Sequence, residues 1–242
     1  MRPGFVLAAI AISLLMPLAS VGGAAAAPAR PESPPGPTGR AGLEGTWQPR
    51  GFADTISTLD GSPIPFQPAA RKRYDESLAA QAAGKPIADS STCCLPSGVP
   101  RVMWAPYLTE IIVQPKRVLM LHEVQHLMRF IYLDEAFPAE IDPTYMGYSV
   151  GRWDGDTLVV ETKGLTDDTI LDRAGITHST DLKVTERIRV LPDGNSLEDR
   201  MTFEDPKTFT KPWDTAVRWY RQAPGIRILE YVCEQNNRTL EK

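Results

Sequence analysis

The residues best suited to chemistry in this sequence form the run His122-Glu123-Val124-Gln125-His126. On a helix, two histidines four positions apart share a face and can hold zinc, while the glutamate activates a water. On a strand, the same histidines lie about 13 Å apart at ~3.3 Å per residue, too far to share one ion. Apolar spacing slightly favours a helix, but Val118 to Leu121 and Phe130 to Leu133 suit strands. We therefore predict strands without a bound metal, and a zinc metalloprotease is the less favoured hypothesis.

A second pattern with chemical potential is the G-x-S-x-G run from Gly147 to Gly151, which contains Ser149. A nucleophilic serine in this pattern sits on a tight turn between a strand and a helix. The residues that follow, Arg152 to Asp156, have the composition of a hairpin instead. We therefore expect the two glycines to permit a bulge or a close approach between strands, and we do not expect a serine hydrolase.

These residues need a scaffold, and the sequence predicts that it is mainly β. Tyr145 to Thr162 has the pattern of two strands closed by Asp154-Gly155, the dipeptide of a type I′ turn. Pro68 to Ala83 is predicted as a helix that ends at Gly84. Further strands are predicted at Thr109–Gln114, Val118–Glu123, Leu127–Leu133, Leu182–Val190, Ser196–Phe203, Thr215–Arg221 and Ile226–Glu234. Many short strands at even spacing imply an antiparallel lipocalin-like barrel or a sandwich, with one or two N-terminal helices.

Two details bear on the interior of such a barrel. Gly45-Thr46-Trp47 resembles the G-x-W that opens lipocalin barrels, where an arginine lies over the tryptophan, and Arg227 or Arg238 could supply that cation. Glu186 shares a strand face with Val184 and Ile188, so its carboxylate is expected to point inward and to need a partner. Its candidate partners are Arg129, Arg152 and Arg200.

Composition limits the compartment and the class of partner. Residues 1–27 have the positive start, apolar core and small-residue cleavage site of a signal peptide. Residues 28–42 are rich in proline and glycine and are predicted to be a disordered tether, and residues 43–242 a single β-rich domain. The 242-residue chain has a net charge of -4, which argues against nucleic acid and anionic membranes as partners. We expect a periplasmic or secreted protein that does not contact a membrane after cleavage.

The three cysteines are Cys93, Cys94 and Cys233. Export places them where disulfides persist, and adjacent cysteines rarely bridge each other. A long-range bridge from Cys93 or Cys94 to Cys233 is therefore expected. The cysteines lack C-x-x-C spacing, so they carry no zinc signature.

Several of these segments together are similar to a large group of exported, uncharacterised bacterial proteins with a G-R-W-[DE]-G-D-T-L-V-V core. The matching runs are C-L-P-S-G-V-P-R from Cys94, R-F-I-Y-L-D from Arg129, G-Y-S-V-G-R-W-D-G-D-T-L-V-V-E-T from Gly147, T-E-R from Thr185, E-D-P from Glu204 and E-Y-V-C-E-Q-N from Glu230. The resemblance covers residues 94–236 and implies export, a barrel-like fold and a Cys94–Cys233 disulfide. In that group, histidines often occupy the two positions that are Phe137 and Tyr148 in this chain. Any histidine-based chemistry that the group has at those positions therefore does not carry over to this chain.

Two hypotheses for function follow. The first is a cofactor-independent lyase, isomerase or cyclase that acts by acid-base chemistry on a small, largely apolar or aromatic molecule in the barrel cavity. Its candidate residues are His122, His126 and Tyr148 as acid and base, Glu123 as an alternative base, and Arg152 to stabilise an oxyanion. The alternative is a lipocalin-like periplasmic protein that binds such a molecule without catalysis. We expect neither to use a cofactor or a metal, and the sequence carries no signal for an oligomeric state.

Overall fold

The computed structural model describes residues 36–50, 55–87 and 89–233. The predicted signal peptide and the first residues of the tether lie outside these ranges. Nine strands close into a barrel in chain order, and two α-helices precede most of them, which confirms the predicted β-rich, lipocalin-like barrel. The strands are β1 (Gly45–Pro49), β2 (Thr109–Gln114), β3 (Arg117–His122), β4 (Met128–Leu133), β5 (Tyr148–Asp154), β6 (Thr157–Lys163), β7 (Lys183–Val190), β8 (Ser196–Glu204) and β9 (Trp213–Arg221).

One strand pair departs from the antiparallel pattern that the sequence predicts. β4 and β5 run parallel, with Ile131 opposite Ser149, whereas the other neighbours are antiparallel and β1 pairs with β9 to close the barrel. The long connection between β4 and β5 returns the chain to the end at which β4 began, and this makes the parallel pairing possible. A Cβ atom on Gly151 would lie 2.7 Å from Ile131 Cγ2, so the glycine permits the close approach predicted for it.

The β5–β6 hairpin forms as predicted, with its turn one residue later. Asp154 pairs with Thr157, and Gly155 and Asp156 make the turn. Gly155 has a φ of 60°, while Asp156 is not among the residues with positive φ. A type I′ turn needs positive φ at both central positions, so this turn is of type II′, in which only the first residue needs it.

One end of the barrel is closed by its N-terminal residues. The short helix α1 (Gly39–Gly42), in the part of the tether that the structure describes, precedes β1, and the Arg221 guanidinium lies 4.2 Å from the centre of the buried Trp47 ring. Trp47 thus lies beneath a cation as in lipocalins, but neither Arg227 nor Arg238 supplies it. Arg221 stands opposite Trp47 in the β1–β9 register, whereas Arg227 lies beyond β9 and Arg238 lies outside the described residues.

The other end of the barrel, which we call the mouth, is covered by segments between the strands. The short 3₁₀ turn Arg101–Trp104 is buried there and is called the plug. The Trp219 indole N–H donates a 3.1 Å hydrogen bond to the main-chain oxygen of Met103, which ties the plug to the interior. Helix α2 (Pro68–Ala82) confirms the predicted helix, and it lies beside the mouth, where Ser77 Oγ donates to the Ala174 oxygen at 3.0 Å. Within the described ranges, no helix is long and apolar enough to cross a bilayer.

The strand predicted at Ile226–Glu234 is wrong for the residues that the structure describes. Residues 226–232 have no regular secondary structure, and they cross the mouth as an extended segment that we call the C-terminal strap (Ile226–Cys233). The strap has residues that favour strands, but it has no free strand edge to pair with, because β1 and β9 already close the barrel.

Candidate functional site

The barrel interior contains a group of polar side chains beneath the plug. They lie on strands whose alternate residues point inward, as the period of two requires. The members of this interior group, each at most 3 % exposed, are Thr109, His122, Arg129, Ser149, Thr162, Glu186 and Asp199. At that exposure, no small molecule reaches them unless the plug moves.

Arg129 is the centre of the interior group, and its N–H donors are all partnered. It donates to both carboxylate oxygens of Glu186, one of them at 2.8 Å, and so forms a bidentate ion pair. It also donates to Ser149 Oγ at 3.3 Å and to Thr162 Oγ1 at 2.8 Å, and its Nη1 lies 3.7 Å from Met103 Sδ. Burial disfavours the charge of Arg129, but the nearby Glu186 outweighs it and raises the Arg129 pKa. The predicted partner of Glu186 is thereby confirmed as the first of its three candidates.

The other titratable members of the interior group are neutral. Burial, together with the charge of Glu186, raises the pKa of Asp199 well above its usual value, so this carboxyl keeps its proton. Burial, together with the charge of Arg129, lowers the pKa of His122 to about 3. Thr109 Oγ1 and His122 Nδ1 are hydrogen-bonded at 2.9 Å, while His122 Nε2 and both Asp199 oxygens have no partner among the described residues. The group therefore holds one positive and one negative charge that balance.

A second polar site lies on the outer side of the plug. This mouth cavity, of about 160 Å³, is lined by Ser97, Arg101, Tyr107, Gln125, Arg173 and Tyr231, among others. Its walls come from the loop before the plug, the plug, the β3–β4 connection and the C-terminal strap. The site is thus assembled from segments that are distant in sequence.

Arg101 and Ser97 are the polar residues of the mouth cavity with unmet hydrogen bonds. Arg101 Nη2 donates to Asp89 Oδ2 at 2.7 Å. Burial opposes ionisation of Asp89, but the charge of Arg101 and hydrogen bonds from Ser91 outweigh it and hold the Asp89 pKa below its usual value. Arg101 Nε and Ser97 Oγ are both buried without a partner among the described residues. Such atoms are rare in folded proteins, and each calls for an explanation.

The β3–β4 connection fixes one wall of the mouth cavity. Gln125 Oε1 accepts the Ser97 N–H at 3.1 Å, and Gln125 Nε2 donates to the Leu95 oxygen. Gln125 has a φ of 55°, and the adjoining His126 has a φ of 49°, both in the left-handed region. Non-glycine residues stay in this region only where their surroundings hold them there. The connection is therefore held in one conformation against the loop that carries Ser97.

The C-terminal strap forms the roof of the mouth cavity. The Leu229 N–H donates to Glu123 Oε2, and the Tyr231 N–H donates to His126 Nε2, each at 2.9 Å. The Tyr231 ring packs edge-on against Tyr107 with 5.4 Å between centroids. A disulfide between Cys94 and Cys233 anchors the end of the strap, which confirms the expected long-range bridge and leaves Cys93 free and exposed.

The structure places the five predicted site residues in three separate regions. His122 belongs to the interior group, while Glu123 and His126 bind the backbone of the strap. Tyr148 lies on the outer wall, where its ring stacks on Tyr132 at 5.1 Å, and Arg152 lines a shallow cavity of about 290 Å³ on the same wall. The five residues therefore do not converge in one cavity.

The H-E-x-x-H run is neither a helix nor one continuous strand. His122 ends β3 pointing inward, and Val124–His126 forms a 3₁₀ turn that carries His126 to the surface. The strands predicted at Val118–Glu123 and Leu127–Leu133 form as β3 and β4, each within one residue of its predicted bounds, and a tight connection joins them. Over the residues that the structure describes, no three His, Cys, Asp or Glu side chains are grouped so that they could hold a metal ion.

Sequence reasoning missed the residues of the mouth cavity. Ser97 lies in the loop with the two adjacent cysteines, and Arg101 follows it closely, but neither belongs to a motif. The disulfide that brings the Tyr231 segment over this loop was the signal that could have pointed to the site. No protein-family model matches the chain, and no curated protein matches it.

Proposed function

We propose that this chain is an exported, lipocalin-like binding protein whose ligand is a small molecule held in the mouth cavity. The observation that carries the proposal is the pair of buried atoms Arg101 Nε and Ser97 Oγ, which lack partners among the described residues and belong to residues that line the cavity. A buried polar group left unpaired costs about 1–3 kcal/mol. A ligand that enters the cavity and moves the neighbouring side chains enough to pair with both atoms would recover this cost.

The chemistry of the lining indicates the class of ligand. Arg101 Nε is a donor, so the ligand needs an acceptor such as a carboxylate or a carbonyl oxygen. Tyr107 and Tyr231 offer aromatic surface, which suits a flat apolar body. The cavity of about 160 Å³ is smaller than the ~300–1000 Å³ typical of pockets for drug-sized ligands, so the ligand has few heavy atoms. A small aromatic or otherwise planar molecule with one acceptor group meets these conditions.

Binding is favoured over catalysis because the candidate acid and base residues are apart. A general acid and base must both reach the same substrate, directly or through one water. The interior, mouth and outer-wall positions of His122, His126 and Tyr148 do not allow this. Export is supported by the predicted signal peptide and by the disulfide, a bond that persists in oxidising compartments.

The test is to purify the protein from the periplasm, release small molecules by denaturation and identify them by mass spectrometry. We expect a compound in stoichiometric amount from the wild type, and its loss from Arg101→Gln and Ser97→Ala variants that remain folded. Arg187→Gln, which removes a charge from the exposed pair with Asp154, is the matched control and should retain the compound. The proposal is refuted if all variants retain the compound equally. It is also refuted if the wild type releases no compound and does not bind small aromatic acids in solution.

A lyase or isomerase is the second candidate, and the interior group supports it. His122 presents an unpartnered Nε2 in its neutral form, and Asp199 keeps its proton, so the interior group contains one residue that can accept a proton and one that can donate it. A substrate would have to displace Met103 of the plug to reach them. The test is to incubate the copurified compound with fresh protein: conversion by the wild type and not by His122→Gln would favour catalysis, and an unchanged compound would favour binding alone.

A further inference from the structure

One outer wall of the barrel is apolar, whereas the opposite wall is polar. Along β3, β4 and β5, buried residues alternate with residues that point outward. We call the apolar members of this outward set the apolar face, which consists of Leu119, Leu121, Met128, Phe130, Tyr132 and Tyr148. The outward positions of β7 and β8 include Thr185, Arg187, Arg189, Glu198, Arg200 and Thr202. The composition expected of a wall that faces water is therefore found on the β7–β8 side and not on the β3–β5 side.

The apolar face is separate from the core. None of its side chains belongs to the described core cluster or is among those packed against it. Its rings pack on one another, with 6.5 Å between the Phe130 and Tyr132 centroids and 5.1 Å between Tyr132 and Tyr148. Met128 is 58 % exposed, and Leu229 of the C-terminal strap, whose N–H binds the β3–β4 connection, is 69 % exposed. They are the two most exposed large apolar side chains that the structure describes, and such a patch marks a contact surface.

The closed barrel limits how a partner can bind to this face. β3, β4 and β5 are each paired on both sides, so none of them offers a free edge for strand addition. A partner must therefore contact the face through its side chains, as two sheets do when they pack face to face. A second apolar sheet wall meets this requirement.

The charges at the two ends of the apolar face have opposite signs. At the end closed by the N-terminal residues, the Arg117 guanidinium lies 5.7 Å from the centre of the Phe130 ring, and Lys116 precedes it. At the mouth end, Glu230 follows Leu229 in the strap and is exposed. Arg117, Lys116 and Glu230 form no ion pair with a side chain in the described ranges. A face with one cationic and one acidic end complements a copy of itself turned end to end, whereas an anionic lipid surface would favour cations alone.

We propose that the apolar face binds the same face of a second copy of this chain, so that the protein is a two-fold symmetric dimer. The two-fold axis runs across the strands, and the mouth end of each barrel therefore lies beside the closed end of the other. Arg117 of each copy then meets Glu230 of the other copy, and the symmetry makes this contact twice. The apolar side chains form the centre of the interface, and the charged residues form its rim.

The test is sedimentation velocity of the exported protein between about 1 and 200 µM. Cys93, which is free and exposed, is replaced by serine in every sample so that no disulfide joins two copies. We expect a monomer–dimer equilibrium with a Kd in the micromolar range, and Met128→Glu should raise this Kd at least about tenfold. Leu78→Glu is the matched control, because Leu78 is a 39 % exposed leucine on α2, away from the face. It should leave the Kd unchanged.

Charge reversal tests the orientation of the two copies. Arg117→Glu and Glu230→Arg each bring like charges together twice, and each should weaken dimerisation by about tenfold. The double variant restores opposite charges and should return the Kd to within about threefold of the parent protein. Arg200→Glu is the control, because Arg200 points outward from β8 and forms no ion pair in the described ranges. It should not affect dimerisation.

Three results would overturn the proposal. The first is a parent protein that remains monomeric at about 200 µM, and binding of neutral lipid vesicles by that monomer would assign the face to a membrane instead. The second is a Met128→Glu variant that acts no more strongly than Leu78→Glu. The third is a charge-reversed double variant that dimerises no better than either single variant. Circular dichroism of each variant establishes that it is folded before its Kd is compared.

Discussion

Two buried arginines on opposite sides of the plug lie in different environments. Arg129, inside the barrel, gives its donors to Glu186, Ser149, Thr162 and the Met103 sulfur. Arg101, in the mouth cavity, pairs with Asp89 through Nη2, but its Nε is buried without a partner in the described part of the chain. Every N–H donor of Arg129 has a partner within the protein, whereas Arg101, which lines the mouth cavity, has one donor without a partner.

Whether an arginine has partners for all its donors indicates whether its surroundings serve the fold or bind a ligand. A buried ion pair is tolerated only if its remaining donors and acceptors are satisfied, and the interior group meets that condition around Arg129. An unpaired donor beside a cavity keeps its desolvation cost until something binds there. His122 Nε2 and the Asp199 oxygens of the interior group also lack partners among the described residues, but they are buried beneath the plug with no described cavity beside them. The mouth cavity is therefore the stronger candidate for a ligand.

The largest expected effect comes from breaking the Arg129–Glu186 pair. Arg129→Met leaves the Glu186 carboxylate buried without a counter-charge, so we expect the free energy of unfolding to fall by about 3–5 kcal/mol. Chemical denaturation measures this loss. The double variant Arg129→Met with Glu186→Leu should recover most of it, because removing both charges leaves neither uncompensated.

Arg101→Met provides the comparison at the mouth. Asp89 Oδ1 would still accept from Ser91 N at 2.9 Å and from Ser91 Oγ at 2.7 Å, while Oδ2 would lose its partner. The expected loss is therefore about 1–3 kcal/mol, the cost of one buried acceptor left unsatisfied. If the two single variants are equally destabilised, the interior and the mouth do not differ in the way that we infer.

The next effect is a pH dependence in which two residues of the interior group oppose each other. The His122 pKa is lowered from 6.5 to about 3 on folding, so His122 stabilises the protein at neutral pH and loses this contribution as the pH falls. The Asp199 pKa is raised above 3.8, so its contribution is present at low pH and is lost as the pH rises through the folded pKa. In the pH range between the folded and unfolded pKa values of both residues, each changes the free energy of unfolding by about 1.4 kcal/mol per pH unit, and the two changes have opposite signs.

Single variants should reveal the two slopes. Relative to wild type, Asp199→Asn should lose stability as the pH falls toward 4, because the His122 contribution is no longer opposed by Asp199. His122→Leu should gain stability over the same range. Denaturation midpoints measured at several pH values test both expectations, and parallel profiles for wild type and both variants would contradict them.

Local patterns in the sequence were enough to predict much of the barrel. The alternation along Lys183–Val190 identified the inward face of Glu186 before its partner was known, and the turn residues after Trp153 identified the hairpin. Helix Pro68–Ala82 ends within one residue of its predicted end, at the glycine expected to stop it. Each of these features depends on residues that are close together in the chain.

The mouth cavity was beyond such reasoning because its parts are far apart in sequence. The Leu229 N–H meets Glu123 across 106 positions, and no local pattern encodes that contact. The Ile226–Glu234 segment has strand composition, but whether a strand forms depends on a free edge, which the closure of β1 on β9 removes. The H-E-x-x-H run was predicted better, because the strand composition on both sides of it outweighed a periodicity that slightly favoured a helix, and the two strands form within one residue of their predicted bounds.

The smallest expected effect comes from a serine-to-alanine substitution made once in the interior group and once in the mouth cavity. Because the substitution is the same, it compares the two regions most directly. Ser149 Oγ accepts from Arg129 at 3.3 Å and is hydrogen-bonded to Thr162 Oγ1 at 2.8 Å, so Ser149→Ala leaves donors unpaired and should cost about 1–2 kcal/mol. Ser97 Oγ is also buried but has no partner in the described ranges, so Ser97→Ala removes an unsatisfied hydroxyl and should raise the stability of the unliganded protein by up to about 1 kcal/mol.

The two serine variants are also separated by ligand binding. Ser97→Ala should weaken retention of the mouth-cavity compound while the protein stays at least as stable as wild type. Ser149→Ala should lower stability and leave retention unchanged. Equilibrium denaturation and mass spectrometry of the released compound, measured on the same preparations, give both values. A clear loss of stability in Ser97→Ala would mean that its hydroxyl has a structural partner, and the mouth would then resemble the interior.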